Sequence, residues 1–404
     1  MVELISDFFH SSLGQVVIAV IAGGAIITFL LFSAIFSVWM ERKVSGRIQD
    51  RLGPTRVGGR FGWLQTLADG LKLLVKEDII PTAADHLLFR FGPYIALSGA
   101  YVAFIALPFG NGVVAREMNI AVFFMLAVMS SEVFGIILAG WGSGSKWSLF
   151  GGMREAAQVV GYEVPRSISV LVPVIFAGTM DLTVFANNQT GFIYNWYIFR
   201  DPFLFGAFWI FFTCAIAGCK RAPFDLAEAE SELVAGFHTE YSGFRWLIFF
   251  MAEYGSMVAV SGIASLLFLG GWNSGLLPVD PVDWLGPIFG NVINVLVFIT
   301  KCYLLVFVMM WVRWTLPRLR IDQVMMTCLK YLLPMSCALL LGVCVWRLVV
   351  PDMVQQFFRY PVALVCVGGF AFMLFRAATT NSTLPVKGVP SLWTSGPVHS
   401  VKSV

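Results

Sequence analysis

The chain has 404 residues, of which 58% are hydrophobic, 15% aromatic and only 13% charged, whereas a soluble domain carries roughly 25% charged residues. That composition excludes a soluble enzyme and a disordered chain. The near balance of 27 Lys and Arg against 24 Asp and Glu excludes the basic excess of a nucleic-acid-binding protein. What remains is an all-α polytopic membrane protein.

A spanning helix needs about 20 mostly apolar residues. Taken in chain order, such runs lie at 15–40, 91–110, 119–141, 156–178, 202–218, 244–270, 288–312, 329–350 and 361–379. These predict about nine transmembrane helices. Residues 1–14 carry acids and no Lys or Arg, so the first run reads as a spanning helix and not as a cleavable leader. Between the first two runs, GWLQTLADGLKLLVKED (62–78) places Leu64, Leu67, Ala68, Leu71, Leu74 and Val75 at helical spacing, with Gln65, Asp69, Lys72 and Lys76 opposite. This predicts an interfacial amphipathic helix in the first cytoplasmic loop. The Lys and Arg residues concentrate in the odd-numbered loops, nine of them between Arg42 and Arg90. By the positive-inside rule those loops are cytoplasmic, the N-terminus is outside and the C-terminus inside. The organisation is a membrane domain over 1–350 with eight helices. A C-terminal extension over 351–404 follows, with a ninth helix and a flexible Ser, Thr, Pro and Gly-rich tail.

The seven Cys form no CxxC, and His10, His86, His238 and His399 are scattered. No zinc, iron–sulfur or paired-His haem site is predicted, so any electrons belong to another chain or a diffusible ligand. The chemistry lies in charges placed where charges are expensive. Glu132, Glu163, Arg166, Glu253 and Lys301 fall inside predicted spans, at about 2.5–3.5 kcal/mol each on insertion scales. Glu163 and Arg166, three apart, either neutralise each other or share in a polar path. Neither Glu132 nor Glu253 has a base three or four positions away on its own helix, which favours the path. In the fifth loop, Pro223 and Asp225 predict a helix start, with Glu228 in capping-box position. Asp225, Glu228, Glu230, Glu232 and Glu240 follow without an intervening base. Either the acids complement a helix dipole, or the cluster shares protons beside the membrane.

Four segments carry a resemblance: ERKVSGRIQDRLGPTRVG (41–58) with the amphipathic helix after it, AGWGSGSKWSLFGGMREAAQVVGYEVP (139–165), RAPFDLAEAESELVAGFHTEYSGFRWLIFFMAEY (221–254) and WVRWTLPRLRIDQVM (311–325). In order over roughly 15–350, they resemble the respiratory complex I membrane component known as the H subunit in bacteria and as NADH dehydrogenase subunit 1 in mitochondria. The resemblance implies a non-redox subunit of the proton-translocating NADH:quinone oxidoreductase in the bacterial inner membrane. It would bind no cofactor or metal itself. Its substrate would be quinone, and NADH, FMN and iron–sulfur clusters would sit on partner subunits of the peripheral arm, with small membrane subunits alongside. By motif position, Glu41, Arg42, Arg51, Asp69 and Glu77 would line the quinone entrance. Asp225, Glu228, Glu230 and Glu232 would form the acidic loop, and Glu132, Glu163, Glu240 and Glu253 the proton and coupling path. Relatives generally carry a Glu three residues before the Arg of RxPFD, where this chain has Gly218. Glu132 is the expected replacement, facing the helix that carries Glu163. Two alternatives stand beside this reading: the equivalent subunit of a membrane-bound hydrogenase, and a stand-alone cation transporter. The full cationic first loop and the absence of an internal repeat argue against them.

Overall fold

The computed structural model describes residues 12–227, 230–276 and 280–351 and scattered positions from 354 to 372. Most of the expected ninth span, and the tail after it, lie outside the described residues. The described elements are helices. They are α1 (Ser12–Ile48), α2 (Gln65–Val75), α3 (His86–Ala103), α4 (Ala121–Ser130), α5 (Glu132–Gly142), α6 (Lys146–Ala177), α7 (Leu182–Asn187), α8 (Tyr197–Arg200), α9 (Pro202–Gly218), α10 (Glu230–Leu233), α11 (Gly243–Phe268), α12 (Pro281–Leu285), α13 (Pro287–Thr315), α14 (Ile321–Met326) and α15 (Leu333–Val349). A π-helical turn over Thr327–Leu332 joins the last two. Among the described residues, six helical segments are long and apolar enough to cross a membrane: α1, α4 with α5, α6, α11, α13, and α14 with α15. The apolar α9 is shorter, at 17 residues. The all-α polytopic architecture expected from composition is the one found, and six of the expected spans meet both criteria in full.

Local chemistry sets the breaks. Between α4 and α5, the Ser130 and Ser131 hydroxyls donate to Leu126 O and Val128 O, which competes with the helical ladder. The segment therefore restarts at Glu132. α6 begins ten residues earlier than the apolar run at 156–178 suggests, because its first turns bury a polar stripe, not an apolar one: Ser148, Glu155 and Gln158 are all buried. No helix opens at Pro223 and Asp225; among its described residues the fifth loop holds the four-residue α10 and a 3-10 turn over Gly236–His238. Its backbone is tied elsewhere, since Leu319 N donates to Pro223 O and Arg318 draws Asp225 to 3.9 Å.

Small residues bring the helices close, as membrane packing requires. A Cβ on Gly135 of α5 would stand 2.4 Å from Ala96 N of α3, so only glycine permits that crossing. α11 is the hub, buried along nearly its whole length, with α1, α3, α9 and α13 around it. Lys301 of α13 fixes its C-terminal end. The ammonium donates to Leu269 O at 2.6 Å, Gly271 O at 3.0 Å and Asn273 O at 2.6 Å, and lies 4.1 Å from the centre of the Trp196 ring. This intramembrane cation is thus satisfied by carbonyls just past a helix C-terminus, where the dipole favours positive charge.

Candidate functional site

An apolar slot of 210 Å³ lies between α1, α2 and α11. Leu31, Ala34 and Val38 form one wall, Leu67, Leu71 and Leu74 a second, and Trp246, Phe250 and Met251 the third. Arg42 and Asp69 line the same slot and form an ion pair with each other. Gln65 Nε2 donates to the other Asp69 oxygen at 3.3 Å. The amphipathic reading of 62–78 thus yields a helix in place, and its polar face supplies the acid of the one ion pair that the slot holds among the described residues, the base coming from α1.

Trp246 and Phe250 also line a second cavity of 200 Å³, with a different chemistry. Lys220, Arg221, Arg313, Glu253 and His238 supply its polar surface. Burial pushes the His238 imidazole down to about 4, with Lys220 adding to the effect, so this ring is neutral at pH 7. Beneath the cavity, Glu41 of α1 is buried and gathers three donors. Arg221 Nη1 reaches both its oxygens at 3.2 Å, Arg313 Nη1 reaches Oε1 at 2.7 Å, and the Tyr254 hydroxyl donates to Oε2. Arg221 Nε is also paired with Glu253 at 2.7 Å, and its guanidinium lies 4.4 Å from the centre of the Tyr254 ring. Among the described residues, two carboxylates and two guanidiniums form this network, with no net charge. The cation that Glu253 pairs with comes from the turn after α9, well outside its own helix.

Glu132 is buried too, and its partners are also remote. Lys220 Nζ donates to Oε1 at 2.6 Å and Ser256 Oγ to Oε2 at 2.6 Å. Lys220 likewise arrives from the turn after α9, 88 positions on from Glu132. Glu132 faces into the bundle. With Glu163, Arg166, Gly218, Lys220 and Ser256 it lines a cavity of 10 Å³, at the lower limit for one water. Glu163 and Arg166 stand 3.6 Å apart, and a Cβ at Gly218 would lie 3.1 Å from Arg166 Nη1. Sequence reasoning missed Glu155. It is fully buried, neither oxygen has a hydrogen-bond partner among the described residues, and Lys220 Nζ lies 3.9 Å away. The signal was present: Ser148, Glu155, Gln158, Tyr162, Arg166 and Ser169 recur at helical spacing and are all buried.

The remaining candidates disperse. Arg51 and Glu77 are exposed and outside both cavities. Two of the acidic-loop carboxylates are paired among the described residues. Glu232 pairs with Arg154 at 2.5 Å and Asp225 with Arg318 at 3.9 Å. Glu228 and the side chain of Glu230 lie outside the described residues. Glu240 is half-buried in the turn before α11, apart from the network around Glu41. Chemically, the assembly offers an apolar slot for a long hydrocarbon, and beyond a shared aromatic wall a cationic cavity for a polar headgroup. Behind the cavity lies a set of buried ion pairs that a change of charge there would disturb.

A family profile described as NADH dehydrogenase matches residues 21–344 of the chain. Among curated proteins, the chain is 42% identical over 375 residues to the NADH-quinone oxidoreductase H subunit of Anaeromyxobacter dehalogenans, a match covering 89% of this chain and 88% of that one. It is 44% identical over 342 residues to the protein of that name from Chlorobium luteolum, covering 84% and 91%. It is 44% identical over 337 residues to the protein of that name from Chlorobaculum tepidum, covering 83% and 92%.

Proposed function

The chain belongs to the NADH dehydrogenase family that includes the NADH-quinone oxidoreductase H subunits, and from that premise we propose that it forms the quinone-access chamber of the enzyme and the start of its charged coupling path. It is a multi-pass membrane subunit of complex I. In this reading the other complex I subunits carry NADH, FMN and the iron–sulfur clusters, and this chain binds and orients quinone. The membrane is the bacterial inner membrane, with the cationic loops and the C-terminus on the cytoplasmic side.

One observation carries the proposal: the apolar slot and the cationic cavity share Trp246 and Phe250 as a common wall. A quinone joins an isoprenoid tail to a polar head, and binding sites for such molecules are apolar with a few convergent polar groups. The tail lies along Leu31, Val38, Leu67 and Leu74, and the head passes the aromatic wall. The Arg42–Asp69 pair sits on the slot's polar side and orients the incoming headgroup. Quinone reduction takes up two electrons and two protons, so negative charge develops close to Lys220, Arg221 and Arg313. Coulomb interaction in a low-dielectric interior is strong, and a charge in this cavity acts directly on the Glu41, Glu253 and Glu132 pairs.

Gly70 provides the test. It lines the slot, and a Cβ added there meets nothing within 4 Å. Gly70→Trp therefore places an indole at the slot from a backbone position where a Cβ meets no neighbour. We expect quinone reductase activity to fall at least tenfold, with NADH oxidation by a hydrophilic electron acceptor unchanged. Wild-type quinone kinetics in a fully assembled Gly70→Trp complex overturns the proposal.

A further inference from the structure

We propose that Lys220 is a two-position ammonium that moves between Glu132 and Glu155, and that Glu155 holds a proton that it exchanges for that ammonium. The inference rests on reading the cationic cavity as the headgroup end of the quinone chamber. Three buried groups carry it. Lys220 bonds Glu132 at 2.6 Å and stands 3.9 Å from Glu155. An ammonium-to-carboxylate hydrogen bond is about 2.8 Å long, so a movement of about 1 Å transfers Lys220 from one partner to the other. The backbone supports the placement: Lys220 adopts a left-handed φ of 57°, unusual for a long side chain, immediately after α9. Strained residues of this kind persist where the surroundings fix them, and they cluster at working sites.

The charge count leaves one proton to be placed. Among the described residues, the charged groups that act most strongly on Glu155 are Lys220, Glu132, Asp225 and Glu253. Asp225 is paired with Arg318 and Glu253 with Arg221. Among the described residues Lys220 is then the one ion-pair partner of both Glu132 and Glu155, with Glu253 and His238 the other titratable groups acting with it. Burial works against its charge, but Glu132 and then Glu155 hold its pKa above the ordinary lysine value. A fully buried carboxylate with no donor cannot stay ionised cheaply. With Lys220 on Glu132, Glu155 carries a proton. With Lys220 on Glu155, that carboxyl is ionised, its proton has left, and Glu132 has taken one up through the small cavity it shares with Glu163 and Arg166. Each arrangement holds one ammonium, one carboxylate and one carboxylic acid, so the exchange moves one proton and no net charge is created. Lys220 lines both the cationic cavity and the small one. A developing negative charge on a reduced headgroup therefore acts on the ammonium directly. Lys220 and Glu155 are positioning and proton-holding groups, not groups that touch the reacting electrons.

The test uses the assembled complex in proteoliposomes. Glu155→Gln freezes the protonated form in nearly the same shape. We expect proton pumping per quinone reduced to fall, the pH profile of quinone reductase activity to lose one ionisation, and Glu155→Asp to restore part of both. In the wild-type complex, infrared difference spectra on quinone reduction should show one deuterium-sensitive carboxylic-acid band lost and another gained, and the pair should vanish in Glu155→Gln. The spectra stand even if the variant fails to assemble. Absence of both bands in the wild type, or an assembled Glu155→Gln complex with unchanged pumping and pH profile, overturns the inference. If Gly70→Trp blocks quinone while Glu155→Gln changes nothing, this inference fails and the chamber reading survives. If Gly70→Trp leaves quinone kinetics intact, the chamber reading itself fails.

Discussion

Replacing Glu41 by Gln removes the one carboxylate that faces Arg221, Arg313 and Tyr254 together. Arg221 keeps Glu253, and Arg313 is left without its 2.7 Å partner. Breaking a buried pair from one side costs about 3–5 kcal/mol, chiefly because the orphaned charge stays buried. If roughly half of that is expressed in the unfolding rate, thermal inactivation of the complex accelerates about 10- to 70-fold at a fixed temperature. Arg313→Met strands the opposite charge: Glu41 and Glu253 then share Arg221. Its cost is smaller, because Arg313 is the more exposed partner. The double variant restores neutrality, with Arg221 on Glu253 and a neutral amide beside Tyr254. The two effects should therefore not add. The coupling energy should reach about 1–3 kcal/mol, as for contacting charged residues, and the double variant should inactivate more slowly than Glu41→Gln alone. Inactivation half-lives of the four detergent-solubilised complexes give the cycle. Additivity within about 0.5 kcal/mol would refute the closed-network reasoning.

Asp69→Asn should lower quinone reductase activity and spare the reaction with a hydrophilic acceptor. The half-exposed Arg42–Asp69 pair contributes at most about 1 kcal/mol, so assembly should be unaffected, and equal loss of both activities would reassign the residue to assembly. Lys301→Met strips three carbonyls of their donor at about 1–3 kcal/mol for a buried polar group left unpaired. It should shorten the thermal half-life, with Lys301→Arg recovering part, and an unchanged half-life would show the clamp to be dispensable. His238 is neutral in the fold, with its pKa pushed down to about 4 against about 6.5 for a free imidazole. Its contribution is complete above about pH 6.5 and is lost as the pH falls toward 4, where the unfolded chain binds the extra proton. His238→Gln should therefore reduce the ratio of inactivation rates between pH 5 and pH 7, and an unchanged ratio would exclude His238 from the acid sensitivity.

The architecture was legible because hydrophobic runs report membrane helices directly. The amphipathic stripe of 62–78 likewise reports the wall of the slot, and Asp69 falls on its polar face. Partnerships were illegible. Charge pairing can be read from sequence only at three or four positions along one helix, and the cations of Glu132 and Glu253 come from the turn after α9. Glu155 was lost because α6 is inverted, burying its polar stripe. An apolar window finds only the half of it that starts near 156. The fifth loop misled for the same reason as the ion pairs: Asp225 and Pro223 carry helix-start signals, but residues 318 and 319 claim both. The family resemblance carried the roles of Arg51 and Glu77, and nothing in the geometry brings either to a cavity.

The clamp at the C-terminal end of α11 has a mechanical consequence. Three carbonyls held by Lys301 keep that end from sliding along its axis, so displacement at the other end takes the form of a swing about a fulcrum. Trp246 and Phe250 stand about 30 Å from that pivot at 1.5 Å per residue. Between them and the pivot, the same rod carries Glu253 on Arg221, Tyr254 on Glu41 and Ser256 on Glu132. A swing of about 2° displaces the aromatic end by about 1 Å. That is the size of the step separating the two partners of Lys220, so pressure on the aromatic wall and movement of the ammonium are matched in scale by leverage alone.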